Sequence, residues 1–282
     1  MTSQSSTEFR IQTSGTAAPL TFLQQHGSLR WQVRSSNPPK GLDRLLADPD
    51  RFLQDRTLLI ADSPLITLAK VPSLAPGDPE LVLRRLNYGR WKHRFRDVFR
   101  TSRAERAFHH GLQLELAGIN TARNIAAGIQ RWVCWPRRAY LVTEWVARAT
   151  TLNDRLARDR SLSRDHVFKL ADLLARLHQN GFSHRDLKSS NILFDANSQP
   201  CLIDLDGVRA YPSMNLTRTA ADLSRFAWEF VKYPSLLKWH GRRFLRYYCK
   251  QRSLPWPLSE LDALIMKPIN QRLEAGVNYW KR

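Results

Sequence analysis

The segment 184–191 of this chain, His-Arg-Asp-Leu-Lys-Ser-Ser-Asn, contains residue types that phosphoryl transfer requires. Asp186 can accept a proton from a hydroxyl group, and Lys188 can neutralise charge on a migrating phosphoryl group. Asn191 and Asp204, which stands 13 positions after Asn191, offer the oxygen ligands that a hard cation such as Mg²⁺ prefers. A base, a cation and two metal ligands are the parts of a transfer reaction that works by positioning.

Neighbouring secondary structure must place these residues. A helix is predicted before the segment, because Ser163 can cap it and its apolar residues recur at helical spacing. Two short strands are predicted at 191–195 and 200–205, the first beginning at the segment's last residue, and a polar turn joins them. In such a hairpin Asn191 and Asp204 lie on adjoining strands, so their side-chain oxygens can converge on one ion.

The segment matches the catalytic loop of protein kinases, His-Arg-Asp-Leu-x-x-x-Asn, at every fixed position. The metal motif that follows departs from the kinase Asp-Phe-Gly, since residues 204–207 read Asp-Leu-Asp-Gly with the glycine one place late. Asp204 is assigned as the ligand from its spacing, and Asp206 is a weaker candidate. The alternative is that the polar residues of the loop only cap and brace a turn.

A kinase also needs a cation on the third strand of its first half, paired with a glutamate on the next helix. The third predicted strand covers 80–86, and Arg84 occupies the position where kinases have lysine. Arginine keeps its charge and can hold phosphates bidentately, while Lys70 on the second predicted strand is the competing cation. Glu105, 21 positions after Arg84, is the predicted partner, although Ser-Arg-Ala-Glu at 102–105 is also a capping box.

The other nucleotide contacts are predicted from the strands of the first half. Thr-Glu-Trp-Val at 143–146 ends the last of these strands and would be the hinge, where backbone groups of Glu144 and Val146 bind adenine. The hairpin at 61–65 lacks a glycine-rich phosphate loop. No Ala-Pro-Glu element or long activation segment follows Asp204, which favours a small-molecule or glycan kinase over an ordinary protein-substrate kinase.

The order of the predicted elements gives the α+β class and a bilobal protein-kinase-like fold. An antiparallel-sheet N-lobe with one helix is assigned to residues 51–146. A mainly helical C-lobe with a basic, aromatic helical tail is assigned to residues 147–282. Residues 1–50 are predicted to be a polar, partly disordered extension with a short helix.

The composition is that of a globular chain with an excess of basic residues. Its 282 residues are 43% hydrophobic, and 44 Lys and Arg against 25 Asp and Glu give a net charge of +19. This excess predicts an anionic partner: nucleic acid, a phosphorylated glycan or a membrane surface. No nucleic-acid-binding motif accompanies it, so nucleic acid is not expected. The three cysteines suit a reducing compartment, and the sequence contains neither a recognisable secretory signal nor a membrane-spanning run.

Two segments concentrate the basic residues. Residues 84–106 contain nine Lys and Arg, and residues 232–252 contain seven with no acidic residue. Aromatic residues are interleaved in the second segment: Tyr233, Trp239, Phe244, Tyr247 and Tyr248. This pattern suits a helix in the headgroup zone of an anionic membrane, and equally a solvated basic face with the aromatic residues in the core.

Together these motifs resemble those of the lipopolysaccharide core kinases, the Kdo and heptose kinases of the protein-kinase-like superfamily. The resemblance runs from about residue 55 to residue 252. It is carried by the catalytic loop and by the segments 61–63, 66–69, 82–87, 102–105, 117–121, 140–144, 202–206 and 221–226.

The resemblance implies an enzyme that uses ATP and Mg²⁺ to phosphorylate a sugar hydroxyl, of Kdo or heptose, in the inner core attached to lipid A. It implies a cytoplasmic protein, peripheral on the inner face of the cytoplasmic membrane, whose substrate is the lipid A-core glycolipid or another anionic glycan. Asp186 would then orient and deprotonate the hydroxyl, and Asn191 and Asp204 would hold Mg²⁺. Arg84, oriented by Glu105, would grip the nucleotide phosphates.

Two other functions stay open. Lys188 in the catalytic loop also fits a Ser/Thr protein kinase. Arg84 and the glycine-poor hairpin fit a pseudokinase, that is, a scaffold that binds a nucleotide or a lipid. On the helix that follows the metal motif, Asp222 either braces the catalytic loop or lies on the helix surface.

Overall fold

The structure is a computed structural model that describes residues 8–9, 21–88, 101–132, 135–254 and 256–275, with the side chains of 8–9 and 238–240 outside the description. The chain divides into two compact units. Residues 1–116 and 122–146 form the N-terminal unit, and residues 117–121 and 147–282 form the C-terminal unit. Within the described ranges, no helix combines the length and the apolar character needed to cross a membrane.

The N-terminal unit is built on an antiparallel sheet of eight described strands. Their bounds are β1 Glu8–Phe9, β2 Thr21–His26, β3 Leu29–Arg34, β4 Leu59–Asp62, β5 Ile66–Val71, β6 Leu81–Asn87, β7 Asn124–Trp132 and β8 Trp135–Glu144. They pair in the order β1-β2-β3-β7-β8-β6-β5-β4. Strand β6 agrees with the third strand predicted at 80–86 to within one residue at each end.

Two short helices, α1 (Leu42–Ala47) and α2 (Pro49–Gln54), cover one face of this sheet. Their buried leucines form a core with Trp31 of β3 and with inward-facing residues of β5 and β6 such as Leu83. Successive side chains of a strand point to opposite faces, so Arg84 lies on the other face of β6. This face is the one on which the sequence predicts the nucleotide contacts.

The predicted helix of the first half is α3 (Arg103–Leu116), which packs on β7 and β8. Its approach to the sheet depends on Gly111. A Cβ at this glycine would lie 1.9 Å from Nδ2 of Asn124, the first residue of β7, so no side chain fits between the helix and the strand. The glycine therefore fixes how closely α3 and Glu105 approach the sheet.

The C-terminal unit is mainly helical. Its helices are α4 Leu152–Asp159, α5 Arg164–Gln179, α6 Leu216–Trp228, α7 Pro234–Arg252 and α8 Leu258–Glu274. Its short strands are β9 Thr150–Thr151, β10 Phe182–Ser183, β11 Ile192–Phe194, β12 Pro200–Leu202 and β13 Arg209–Ala210. Helix α5 packs on α7 and α6 packs on α8, while β10 pairs with β13, and β11 lies between β9 and β12.

The two fold halves expected from the sequence are present: an antiparallel sheet with helices in the N-terminal unit, and helices in the C-terminal unit. Ser163 caps α5 as predicted, its hydroxyl accepting a hydrogen bond from the backbone nitrogen of His166 at 3.1 Å. Helices α4 and α8 were not predicted, since α4 is short and α8 contains Pro268.

Residues 21–50, the described part of the segment apart from 8–9, differ from the predicted polar, partly disordered extension. The short helix is present as α1, but residues 21–34 form a hairpin that joins the edge of β7. Leu29, Trp31 and Val33 alternate with polar residues and are buried, which is the pattern of a half-buried strand. Gly27 supplies the left-handed turn between the strands, with φ of 55°. The polar residues on the outer face make the segment polar in composition, and this concealed the alternation.

Candidate active site

The catalytic-loop segment follows β10 in the C-terminal unit. It brings two predicted residues, Lys188 and Asn191, to the carboxylate of a third, Asp186. Asn191 Nδ2 donates to the backbone oxygen of Asp186 at 2.9 Å and to its Oδ2 at 3.1 Å. Lys188 Nζ lies 3.0 Å from the same Oδ2. The side chains of Asp186 and Lys188 are 51% and 44% exposed, so a ligand can reach both. The result is an accessible carboxylate held beside a cation.

Asp204 follows β12, and its left-handed backbone, with φ of 59°, leads into the 3₁₀ turn 205–207. The backbone nitrogen of Ile203 donates to the carbonyl oxygen of Asn191 at 3.0 Å, so Asp204 is the next residue after the one bonded to Asn191. Asn191 itself ends a 3₁₀ turn, 189–191, just before β11. The side-chain nitrogen of Asn191 donates to Asp186, which leaves its side-chain oxygen to bind a cation.

The glycine of the metal motif has a steric role at its displaced position. A Cβ at Gly207 would lie 2.9 Å from the carbonyl oxygen of His184 and 3.6 Å from Cβ of Asp186. A side chain at 207 would therefore push the catalytic loop away. The turn 205–207 therefore packs directly on the catalytic loop.

Asp222 of α6 braces the catalytic loop, and the alternative of a helix-surface residue is wrong. Its side chain is fully buried, and it accepts backbone hydrogen bonds from His184 at 2.9 Å and Arg185 at 3.3 Å. Arg225 Nη1 also donates to it at 2.8 Å. Arg185 has a left-handed φ of 57°, a strained conformation for arginine, and it directly precedes Asp186. The hydrogen bonds that Asp222 accepts therefore hold the backbone directly before Asp186.

Two histidines beside Asp222 are buried, and burial lowers the pKa of both. His178 of α5 has Nε2 3.3 Å from Asp222 Oδ2, and His184 has Nε2 3.2 Å from the carbonyl oxygen of Ile203. Burial alone would raise the pKa of Asp222, but the hydrogen bonds from His178 and from the loop hold it below its usual value. The carboxylate of Asp222 thus stays charged while both histidines stay neutral near pH 7.

A second anchor of the loop was missed in the sequence. Glu229, directly after α6, accepts hydrogen bonds from Ser189 through its backbone nitrogen at 3.1 Å and its hydroxyl at 2.5 Å. Glu229 stands seven positions after Asp222, two helical turns, which places both on one side of the helical segment. That spacing of two acidic residues is the signal that could have identified it.

In the N-terminal unit, Glu105 forms the capping box. Its Oε2 accepts from the backbone nitrogen of Ser102 at 2.8 Å, and its own nitrogen donates to the Ser102 hydroxyl at 3.1 Å. Arg84 pairs across the sheet with Leu68 of β5 and Leu141 of β8. The ion pair between Arg84 and Glu105 stays a prediction.

The competing cation, Lys70, lies on the same face of the sheet as Arg84, two residues along β5 from Leu68. Its Nζ is 2.8 Å from Glu80 Oε1 and 4.9 Å from the centre of the Trp145 ring. The charge of Lys70 is therefore balanced by a neighbouring carboxylate.

The predicted hinge residues end this unit. Glu144 binds Arg123 twice: its Oε1 accepts from Arg123 Nη1 at 2.6 Å, and its backbone nitrogen donates to the Arg123 carbonyl oxygen at 2.8 Å. Val146 is the last residue before the C-terminal unit begins at Ala147. The backbone nitrogen of Glu144 is thus already used within the unit, and the contact of these residues with adenine stays a prediction.

Comparison with known proteins matches residues 76–248, more than half of the chain, to the family described as lipopolysaccharide kinase (Kdo/WaaP). The chain belongs to this family. A 3-deoxy-D-manno-octulosonic acid kinase of Vibrio vulnificus is 33% identical over 139 residues, 49% of this chain and 57% of that protein. One of Xanthomonas campestris pv. campestris is 38% identical over 107 residues, 34% of this chain and 39% of that protein.

The fold agrees with a solved structure described as WaaP in complex with acyl carrier protein. The TM-score is 0.57 at 16% identity, over 85% of this chain and 98% of the solved one. At that identity the match shows the fold alone, and it confirms the protein-kinase-like architecture predicted for this Kdo/WaaP family member. The chain spans about 57% of the length of the Vibrio kinase.

The basic segments of this Kdo/WaaP family member are described only in part. Five of the nine basic residues of 84–106 fall within 89–100, outside the described residues. In the second segment Arg242, Arg243 and Arg246 of α7 are exposed. Tyr248 is fully buried, and Phe244 packs on Phe226 with ring centres 5.5 Å apart. These aromatic residues belong to the core, as the second of the two interpretations predicted, while the arginines face solvent.

A cavity of about 940 Å³ lies among α5, α6, α7 and α8. It is lined mainly by apolar side chains such as Leu170, Leu223 and Phe230, and Arg242, Arg243 and Arg246 also contribute to it. Its lining includes none of the predicted catalytic or metal-binding residues.

Proposed function

We propose that this chain is a kinase that transfers the γ-phosphate of ATP to a sugar hydroxyl, of Kdo or heptose, in the lipopolysaccharide inner core. The observation that carries the proposal is the arrangement at Asp186, whose accessible carboxylate is held by Asn191 and Lys188. Membership of the Kdo/WaaP family supports the sugar as acceptor.

Asp186 is the proposed general base. Its Oδ2 would accept the hydrogen bond of the acceptor hydroxyl and take its proton as the new phosphate ester forms. Lys188 lies at the same oxygen and is half exposed, so its ammonium can also reach the transferred phosphoryl group and neutralise charge there. Asn191 keeps the carboxylate from rotating, which is the positioning on which this reaction class depends.

Asn191 and Asp204 are the proposed Mg²⁺ ligands. An amide oxygen and a carboxylate form an all-oxygen donor set, which suits this ion, and Mg²⁺ commonly takes its other ligands from phosphates and water. The ion, when bound, supplies charge neutralisation at the phosphates. These two residues supply only part of the ion's coordination, so the site would need nucleotide oxygens and water as well.

The nucleotide would be held by residues of the N-terminal unit. Arg84 would hold the phosphates with its guanidinium fork, and Glu105 would orient it while still capping α3. The adenine would bind backbone groups at the hinge: the carbonyl of Glu144, because its amide is already used, and the backbone of Val146.

The proposed acceptor is the lipid A-core glycolipid, or another anionic glycan, at an anionic membrane surface. Support comes from the net charge of +19 and from the exposed arginines of α7, Arg242, Arg243 and Arg246. The apolar cavity beside these arginines suits an anionic molecule with an apolar part. The protein would then be cytoplasmic and peripheral on the inner face of the cytoplasmic membrane, and no nucleic-acid partner is proposed.

The test is incubation of the purified chain with radiolabelled ATP, Mg²⁺ and, separately, purified lipid A-core glycolipid or generic protein substrates. Label is expected in the glycolipid, and it should disappear when EDTA is added. A Glu260→Ala variant, changed at an exposed carboxylate of α8, is the matched control and should keep full activity.

Label in protein substrates and none in the glycolipid would replace the proposal by a protein kinase. ATP binding without transfer to either acceptor would replace it by a pseudokinase.

A further inference from the structure

A buried chain of hydrogen bonds connects the catalytic loop to helix α7. Arg252 Nη1 donates to the Tyr248 hydroxyl at 2.9 Å, and this hydroxyl lies 2.6 Å from His178 Nδ1. His178 Nε2 lies 3.3 Å from Asp222 Oδ2, which accepts the backbone nitrogen of His184 at 2.9 Å. The chain thus runs from the last residue of α7 to the start of the catalytic loop.

The chemistry of these groups sets the direction of each bond. The carboxylate of Asp222 can only accept, so Nε2 of His178 carries the proton and donates to it. Because burial lowers the pKa of His178, its ring is neutral and Nδ1 is an acceptor. Burial raises the pKa of Tyr248, so its hydroxyl keeps its proton and donates it to Nδ1, while its oxygen accepts from Arg252. In each of these three side-chain contacts a donor therefore meets an acceptor, and both ring nitrogens of His178 favour the same tautomer.

This series of hydrogen bonds ends at a strained part of the backbone. Asp222 also accepts from the nitrogen of Arg185, whose left-handed φ of 57° directly precedes Asp186. Strain of this kind persists only where several contacts determine it together. A rotation of the Asp222 carboxylate would break its hydrogen bonds with the backbone nitrogens of His184 and Arg185. The backbone that orients Asp186 would then be free to move.

We propose that Tyr248 and Arg252 are positioning residues for Asp186: the Tyr248 hydroxyl, held by Arg252, donates to Nδ1 of His178 and strengthens the preference for the Nε2–H tautomer that Asp222 accepts, which fixes the Asp222 carboxylate and the backbone of 184–186. The activity measurements below rest on the proposed function. The spectroscopic and exchange measurements do not.

Tyr248→Phe removes the hydroxyl and keeps the ring, which stacks on Phe244 with an angle of 9° between the planes. We expect kcat about tenfold lower, the size of one buried hydrogen bond, with KM for ATP and glycolipid within about twofold of wild type. Arg252→Met should resemble it, and Arg252→Lys, which keeps a charged donor, should recover most of the rate. Tyr247→Phe, at the neighbouring tyrosine that packs on Phe168, is the matched control and should behave as wild type.

Two measurements on the full chain report the positioning itself. The ¹⁵N signals of the His178 ring should show the Nε2–H tautomer in wild type and a mixture of tautomers in Tyr248→Phe. Hydrogen exchange of the His184 amide, measured where circular dichroism shows both proteins folded, should be about tenfold faster in Tyr248→Phe than in Tyr247→Phe.

Unchanged His178 signals and unchanged His184 exchange in Tyr248→Phe would overturn the inference. A fall in kcat in Arg252→Met that does not recover in Arg252→Lys would also overturn the inference, because it would show that only packing was lost. If wild type phosphorylates no glycolipid while the tautomer and the exchange respond as expected, the proposed function fails and the positioning role stands.

Discussion

The catalytic loop of the C-terminal unit and the predicted nucleotide strand of the N-terminal unit differ in the contacts that hold their residues. Asp186, Lys188 and Asn191 meet at one carboxylate, and two acidic residues, Asp222 and Glu229, anchor the loop from α6 and the residue after it. In the N-terminal unit, by contrast, Glu105 is bonded to Ser102, and the cation expected on β6 is an arginine.

The difference shows which parts of such a site must be built in advance. A base that moves a proton needs one fixed direction, so its loop is held by buried hydrogen bonds. A group that binds phosphate can be ordered by the ligand, and the reach of an arginine side chain tolerates this. We therefore expect substitutions in the C-terminal unit to lower kcat and those in the N-terminal unit to raise KM for ATP.

The largest effect is expected for Asp186→Ala. Loss of the base should lower kcat by about 10²–10⁴-fold while ATP still binds, since the nucleotide contacts lie elsewhere. Steady-state transfer to glycolipid and calorimetric titration with ATP measure the two quantities. Retained turnover in this variant would count heavily against the division between the two regions.

The next largest effect is expected on stability, when the buried anchor Asp222 is changed. Asp222→Asn leaves the loop amides and His178 without a charged acceptor, and we expect a loss of about 3 kcal/mol in the free energy of unfolding. Urea unfolding measures this. Glu229→Gln keeps an acceptor for Ser189 and should cost about 1 kcal/mol; an equal cost for both variants would contradict the ranking of the anchors.

Stability should also fall in mild acid. His178 and His184 have lowered pKa values in the folded chain, so below about pH 6.5 the unfolded chain binds more protons than the folded one. Their contribution is complete above that pH and is lost as the pH falls, with a slope of up to about 1.4 kcal/mol per pH unit for each histidine. Urea unfolding at pH 7.5 and pH 5.5 measures it, and equal stability at both would show that the histidines are charged in the fold.

A moderate effect is expected on the nucleotide strand. Arg84→Met should raise KM for ATP about tenfold through loss of a charge-assisted hydrogen bond, with kcat within about threefold of wild type. Arg84→Lys should stay close to wild type, since lysine also binds phosphate. A loss confined to kcat would place Arg84 with the catalytic loop, contrary to the comparison.

The smallest effect separates the two roles of Glu105. Glu105→Gln keeps the capping box, so the melting temperature should not change, but it removes the charge that would orient Arg84. We expect KM for ATP to rise about threefold, less than the full loss of a charge-assisted hydrogen bond. No change in KM would leave Glu105 a capping residue only.

The clustering of Asp186, Lys188 and Asn191 could be predicted because these residues lie within eight consecutive positions. Local spacing decides which of its side chains can meet. The fold class followed in the same way, from alternating apolar residues in β4 to β8 and helical periodicity in α5.

Other features depended on contacts between distant segments. Glu229 contacts Ser189 across 40 positions, and Tyr248 reaches His178 across 70, so neither could be paired from spacing alone. The hairpin at 21–34 was hidden by its polar outer face, and Phe244 of α7 could be assigned to the core only once α6 was placed against it.

Mass spectrometry of the core glycan tests the central claim most directly. Cells that lack the chain, cells complemented with wild type and cells complemented with Asp186→Ala would be compared. We expect the mass of one phosphate on a core sugar to be present with wild type and missing in the other two. An identical phosphate pattern in all three strains would contradict the account.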